Sequence, residues 1–331
     1  MAKENVLITG GAGFIGSHLC ERMLKKYNVI CLDDFSTGSE KNINHLVQLP
    51  NFEFVRQDPS KPFNLESLSV LEKFQIGVKG FYAIFNLACP TSAKNFDKLK
   101  ISTLDANSLM MKNILEMVVK YKAKFVHLSS SVVYGGRGQK SGKVSEDEEG
   151  TVNHLSPRGC YDEGKRFAET MVASYHQIYG TDYKIARVFR TYGPRERLFD
   201  GEMIPDFIVE ANQNKDLVVY GTKDFSTSLI YVGDVVDALE KMMDARKDLG
   251  AVNIGSDVDL KIADVAKKII EMTKSKSKIV YDKPLPFITE LVLPNINKAR
   301  EELGWMPLVR LEDGLKKTID YTLAHKELLG I

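Results

Sequence analysis

The chain has 331 residues, 44% hydrophobic and 27% charged, with a formal net charge of +1. This suffices for a large packed core, as one domain with a lobe or as two domains. It gives no electrostatic footprint for nucleic acid, and no apolar run approaches the ~18 residues of a membrane-spanning helix. Neither nucleic acid nor membrane is expected as a partner. Cys20, Cys31, Cys89 and Cys160 have no metal-ligand or C-x-x-C spacing. No metal is expected, and reduced thiols fit a cytoplasmic protein. The first predicted strand starts within a few residues of Met1, leaving no room for a signal peptide.

In chain order, Asn5-Val6-Leu7-Ile8 reads as a buried strand, and Phe14 to Leu24 as a helix with Ile15, Leu19 and Met23 at four-residue steps. Between them lies Gly10-Gly11-Ala12-Gly13-Phe14-Ile15-Gly16. Strand, glycine turn and helix together form a dinucleotide site. Gly10 permits the tight turn, Gly13 lets backbone approach a pyrophosphate, and Gly16 lets the helix sit close to the strand. Free N–H groups of the helix N-terminus then face that pyrophosphate, alongside Phe14 and Ile15. The spacing is G-x-x-G-x-x-G rather than G-x-G-x-x-G. A second strand, Asn28 to Asp33, ends in acid about 20 residues further on, where a carboxylate binds the ribose hydroxyls of NAD and repels the 2′-phosphate of NADP. Asp33 or Asp34 takes that role.

Further strands are predicted at Phe52–Gln57, ending at Asp58, at Ala83–Leu87, running into Ala88-Cys89-Pro90, and at Phe125–Leu128, ending in Ser129-Ser130-Ser131. One long helix is expected from Ile101 to Tyr121. Alternation of strands and helices predicts an α/β fold: a Rossmann-type doubly wound parallel sheet with ligands beyond the carboxyl ends of the strands. Arg137 to Asn153 reads as a surface loop, its acidic run Ser145–Glu149 solvated. Tyr161 to Ile178 is helical and Lys184 to Phe189 a sixth strand. Helices follow near Met203–Ala211, Val235–Met243, Ile262–Thr273 and Leu311–Ala324. The reading divides the chain into residues 1–190, a NAD-binding domain, and 191–331, a smaller substrate-binding lobe with segments returning to the sheet.

Tyr161 and Lys165 are four apart on a helix and share a face. A tyrosine is a poor base at its ordinary pKa near 10. A nearby ammonium, with a nicotinamide ring behind it, favours the phenolate. That group can take a proton from a sugar hydroxyl while hydride leaves the same carbon. Ser130 or Ser131 is placed to orient the hydroxyl.

Gly10, Gly13, Gly16, the Ser129–Ser131 strand end, Tyr161 and Lys165 resemble the extended short-chain dehydrogenase/reductase family, also called the NAD-dependent epimerase/dehydratase family. The resemblance runs from the first strand to Leu311-Glu312-Asp313-Gly314-Leu315. It is strongest to the branch that decarboxylates UDP-glucuronate, at Leu87–Pro90, Pro157–Arg166, Thr191–Arg195, Val219-Tyr220-Gly221, Tyr231–Asp234 and Leu303-Gly304-Trp305. The resemblance implies NAD as cofactor and a nucleotide-diphosphate sugar, UDP-linked, as substrate. Asp58 would bind adenine, Leu87, Ala88, Tyr161 and Lys165 would line the nicotinamide ribose, and Pro90, Ser130, Arg190, Arg195 and Tyr220 would meet the substrate. It also implies a homodimer through the helix near Ile101–Tyr121 and the Tyr161 helix, with Leu109, Met110, Leu115, Met117 and Val118 as an apolar face.

Four positions depart from the family pattern. A glutamate two residues before the tyrosine of the "VYG" run is Val132, which cannot carry a proton. An asparagine after "RxF" is Arg190, and two phosphate-binding arginines are Thr227 and Val292. Each lost guanidinium removes about 1.5–3 kcal/mol of charge-assisted contact. Arg190, Arg195 or Arg197 supplies replacement charge, or the substrate differs. All readings open with oxidation of the sugar 4-hydroxyl. Decarboxylation of a UDP-uronate ranks first, then 4-epimerisation or simple 4-dehydrogenation. Val132 disfavours dehydration. From another class, a non-catalytic NAD-binding module remains an alternative.

Overall fold

The structure, a computed structural model, describes residues 3–92, 96–136, 142–245, 249–283 and 291–325. Seven strands form the main sheet: β1 (Asn5–Thr9), β2 (Asn28–Asp33), β3 (Phe52–Arg56), β4 (Ala83–Asn86), β5 (Lys124–Ser130), β6 (Tyr183–Val188) and β7 (Gly250–Ile254). Their spatial order is β7-β6-β5-β4-β1-β2-β3, and every neighbouring pair is parallel. Chain order reverses at β1, between β2 and β4. The crevice at such a switch point is where a doubly wound sheet takes its ligand. β1 has only buried positions, as a central strand with helices on both faces must.

On one face, Phe14–Met23 packs beside Val232–Asp244, joining Leu19, Cys20 and Met23 to Val235, Leu239 and Met242 in one core cluster. On the other, Leu109–Tyr121 and Gly159–Tyr179 bury Met111, Ile114, Leu115, Ala168 and Val172. A separate core gathers Met203–Asn212, Ile262–Thr273 and Leu311–Ala324 around a two-stranded parallel pair, Leu217–Tyr220 with Ile279–Asp282. Trp305 Nε1 donates to the Asp234 carbonyl at 3.1 Å, and the Asp234 carboxylate accepts from Leu308 and Val309 N–H groups, which ties the C-terminal segment to the sheet side.

Two expectations are corrected. The single helix over Ile101–Tyr121 is two, Phe96–Asn107 and Leu109–Tyr121. Ser108 separates them with φ −125° and ψ −79°, its hydroxyl donating to Leu104 O, a local bond that competes with the helical ladder. The Arg137–Asn153 loop contains a short strand, Lys143–Val144, whose Val144 is buried beside Val133 and Phe189; residues 137–141 lie outside the described set. β7 is the expected return of the later segment to the sheet, but its bounds were not given in advance, because Gly-Ala-Val-Asn-Ile is too short to signal a strand without its β6 partner. No described helix is long and apolar enough to cross a membrane.

Candidate active site

The glycine turn begins where β1 ends. Gly10 has φ +68°, and a Cβ there would meet Ala88 N at 2.7 Å. Gly16 is tighter: a Cβ would stand 2.0 Å from the Gly10 carbonyl oxygen. Gly13 differs, since its Cβ would meet only that same oxygen, at 3.1 Å. Gly10 and Gly16 are therefore required by the protein's own packing, while the open side of Gly13 faces the cavity. These residues, with Phe14 and Ile15, line a cavity of about 720 Å³ that also takes in Asp33, Asp34, Leu87, Ala88, Pro90 and the Tyr161 region. The helix Phe14–Met23 points its N-terminus into it.

Asp33 resolves from Asp34 by its bonds. Its carboxylate accepts from Ala12 N at 3.0 Å, inside the glycine turn, and from Phe35 N at 2.8 Å. Burial pushes its pKa up, and these two N–H groups oppose the rise. Asp34 instead closes a local turn on Ser36 N and Oγ. A glycine cradle, a helix N-terminus and a buried carboxylate one strand away suit the pyrophosphate and ribose of a dinucleotide.

Tyr161 sits on the first turn of Gly159–Tyr179. β5 delivers Ser130, whose hydroxyl hydrogen-bonds the Tyr161 side chain. Ser131 also lines the cavity, and its Oγ is buried without a hydrogen-bond partner among the described residues. Lys165, 4% exposed, donates from Nζ to Leu128 O at 2.8 Å, which docks the helix on β5. The expected lowering of the phenol by its lysine is not what dominates. Burial pushes the Tyr161 phenol above its ordinary value, Cys89 adds to this, and Ser130 and Arg158 oppose it. Arg158 lies with Cζ 5.7 Å from the ring centroid and pairs with Asp162 at 3.2 Å. Val132 is buried beside Ser131 and adds only an apolar wall.

Beyond Tyr161 the cavity wall is the segment after β6: Arg190, Arg195, Glu196, Arg197, Asp200 and Glu202. Two of its residues, Arg195 (φ +69°) and Phe199 (φ +63°), adopt left-handed backbone, which costs a non-glycine residue about 1–3 kcal/mol. Arg195 is held there by Glu21, whose Oε2 accepts from Nη2 at 2.7 Å, and its Nη1 is buried without a partner among the described residues. His18 bonds the Pro194 carbonyl at 2.9 Å, and burial lowers its pKa to about 4. Glu196 and Glu202 face Arg190; burial pushes both carboxyls above the usual range, Arg190 opposing.

The fold thus gathers all but two of the predicted cofactor, catalytic and substrate residues on one cavity. Asp58 does not line it; its carboxylate bonds Ser60 and Lys61. Tyr220 stands away on the C-terminal lobe strand. Thr227 and Val292 are buried and lie off the cavity, Val292 packing with Phe189 and Tyr134. Met110, Leu115 and Val118 belong to the core rather than to an outer face, whereas Leu109 is exposed together with Ile101, Leu104 and Phe167. Arg158, Glu196 and Glu202 were not singled out from the sequence. The available signal was their position: all follow strands whose carboxyl ends face the ligand rim.

Residues 7–318 match the family model described as GDP-mannose 4,6 dehydratase. UDP-glucuronic acid decarboxylase 1 of Xenopus tropicalis is 35% identical over 96% of this chain and 72% of its own. Among solved structures, the UDP-glucose 4-epimerase of Thermotoga maritima, with UDP-glucose, superposes at TM-score 0.83 and 26% identity over 97% of this chain and 99% of its own. The UDP-glucuronic acid 4-epimerase of Bacillus cereus, in complex with UDP-glucuronic acid and NAD, does so at TM-score 0.82 and 27% identity over the same shares. With its glycine cradle, seven-stranded sheet and end-to-end match, the chain belongs to the NAD-dependent epimerase/dehydratase family, the extended short-chain dehydrogenases/reductases.

Proposed function

We propose that this chain is a NAD-dependent enzyme that oxidises the 4-hydroxyl of a UDP-linked sugar and returns hydride to the opposite face of the ketone, a 4-epimerase-type cycle. The observation that carries this reading is the Ser130–Tyr161 pair, set in the same cavity as the glycine cradle and Asp33. Residues 1–190 hold the cofactor and 191–331 the sugar nucleotide. When bound, NAD supplies a hydride acceptor and a positive charge beside Tyr161.

The chain's own residues do the rest. Tyr161 takes the proton of the 4-hydroxyl through its phenol oxygen and later gives it back. Ser130 hydrogen-bonds that phenol and fixes its direction. Because burial, with Cys89, pushes the phenol further above its already high ordinary value, the phenol of the bare site stays protonated, and it becomes a base only once positive charge arrives next to it. Lys165, tied to the Leu128 carbonyl, positions the helix that carries Tyr161. Val132 offers no proton carrier, so the expulsion of water that dehydration needs has no acid there. An epimerase needs none: the ketone turns over and is reduced.

Decarboxylation is the second reading, favoured by 35% identity to UDP-glucuronic acid decarboxylases; a 4-keto uronic acid is a β-keto acid and can lose carbon dioxide. Incubation with UDP-glucose and UDP-glucuronate, followed by chromatography and mass spectrometry, separates them. A new isomer of unchanged mass is expected. Loss of carbon dioxide replaces epimerisation by decarboxylation. No change in any UDP-, GDP- or dTDP-sugar leaves a non-catalytic NAD-binding module. We further propose a homodimer joined through exposed Ile101, Leu104, Leu109 and Phe167, to be tested by sedimentation.

A further inference from the structure

We infer that Glu196 and Glu202, gathered on Arg190 at the Tyr161 end of the cavity, make this a site for a sugar without a carboxylate: a hexose that presents a hydroxyl or amine donor to Glu196, not a uronate. This rests on the 4-keto reading above and names its substrate class.

The first argument is an unmet hydrogen bond. Glu196 lines the cavity, and its Oε2 is buried with no hydrogen-bond partner among the described residues. A buried acceptor left unsatisfied is unfavourable, and a donor on the occupant would satisfy it. The backbone aims the side chain there: Arg195, left-handed and anchored to Glu21, precedes it, and Glu196 N closes a turn on Gly193 O at 3.4 Å.

The second argument is charge. Every arginine lining the cavity already faces a carboxylate of the protein: Arg158 with Asp162 at 3.2 Å, Arg195 with Glu21 at 2.7 Å, Arg197 with Asp200 at 3.9 Å, and Arg190 with Glu196 and Glu202. Asp200 and Asp206 add further negative charge around Glu202. Burial holds the Glu196 carboxyl well above its ordinary pKa, and Glu202 and Asp206 add to the rise. A uronate would bring one more anion into this buried place and compete with Glu196 and Glu202 for Arg190. A neutral or amine-bearing hexose brings donors instead.

Calorimetric titration of the full-length, NAD-loaded protein with UDP, UDP-glucose and UDP-glucuronate tests this. UDP-glucose is expected to bind at least tenfold tighter than UDP-glucuronate, a difference of about 1.4 kcal/mol. Glu196→Leu should weaken UDP-glucose tenfold and leave UDP unchanged, and Glu202→Gln should narrow the discrimination at least threefold. Equal or tighter binding of UDP-glucuronate overturns the inference. So does a Glu196→Leu protein, folded by its melting profile, that weakens UDP and UDP-glucose alike. A preference for UDP-glucose without any isomer formed overturns the epimerase reading and leaves the selectivity standing.

Discussion

At the glycine end of the cavity the ligand-facing groups belong to the backbone; at the Tyr161 end they are side chains. The first end is built by exclusion. Gly10 and Gly16 leave no room for a methyl group, and Ala12 and Phe35 donate main-chain N–H groups to Asp33. The second end is built by charge, with Arg158 over the Tyr161 ring and Arg190, Glu196 and Glu202 facing one another along the same cavity. Backbone geometry tolerates little change, because a substitution there must displace the main chain itself. A side-chain wall can be exchanged residue by residue, and Val132 and Arg190 mark that exchange here.

The comparison can be broken most sharply at Tyr161. Tyr161→Phe should lower turnover by about 10³-fold, leaving cofactor content and melting temperature near wild type. A fall of less than tenfold would remove the phenol from the proton transfer. The two glycines of the helix start sharpen the point about exclusion. Gly16→Ala drives a Cβ into the Gly10 carbonyl and should destabilise the protein by about 2 kcal/mol or more in denaturant unfolding. Gly13→Ala, at φ −76° and ψ −177°, should cost less than about 1 kcal/mol of stability yet weaken NAD at least tenfold, because its methyl group enters the pyrophosphate space. Equal stability losses in the two variants would refute the division between packing glycine and ligand glycine.

The smallest expected effect lies where the two ends meet. His18, on the helix Phe14–Met23, bonds Pro194 of the segment after β6, with Arg195, Glu21 and His45 around it. Burial holds its folded pKa at about 4, below the ordinary 6.5 of a histidine. The neutral ring therefore contributes stability that is fully present above about pH 6.5 and is lost as pH falls toward 4. A loss on the order of 1–2 kcal/mol is expected across that window, and His18→Gln should flatten it. An unchanged pH profile in the variant would assign the acid sensitivity elsewhere.

Much of this molecule was legible in advance. The strand β2 and the helices Ile262–Thr273 and Leu311–Ala324 have the bounds that periodicity implied, because one buried face of an element leaves a repeating trace in sequence. The break at Ser108 was not legible, since a serine inside an apolar pattern signals no fixed break until its hydroxyl finds Leu104 O. The choice between Ser130 and Ser131 also needed the fold. Ser130 ends β5 and reaches Tyr161, while Ser131 already begins the helical turn Ser131–Tyr134 and its Oγ finds no partner among the described residues.

By itself the amino-acid sequence determined the alternating strands and helices, the glycine turn and the placement of Tyr161 and Lys165 one turn apart on a helix, because each is local: its spacing alone sets which backbone torsions or helix faces are possible. Tertiary structure alone decided what surrounds the phenol. Arg158 and Glu202 are 44 positions apart along the chain, and a charged residue in an irregular segment reads as solvated until packing closes over it. Burial then changes its chemistry, raising Glu196 and Tyr161 above their ordinary pKa values, and no sequence pattern records how much water a side chain has lost.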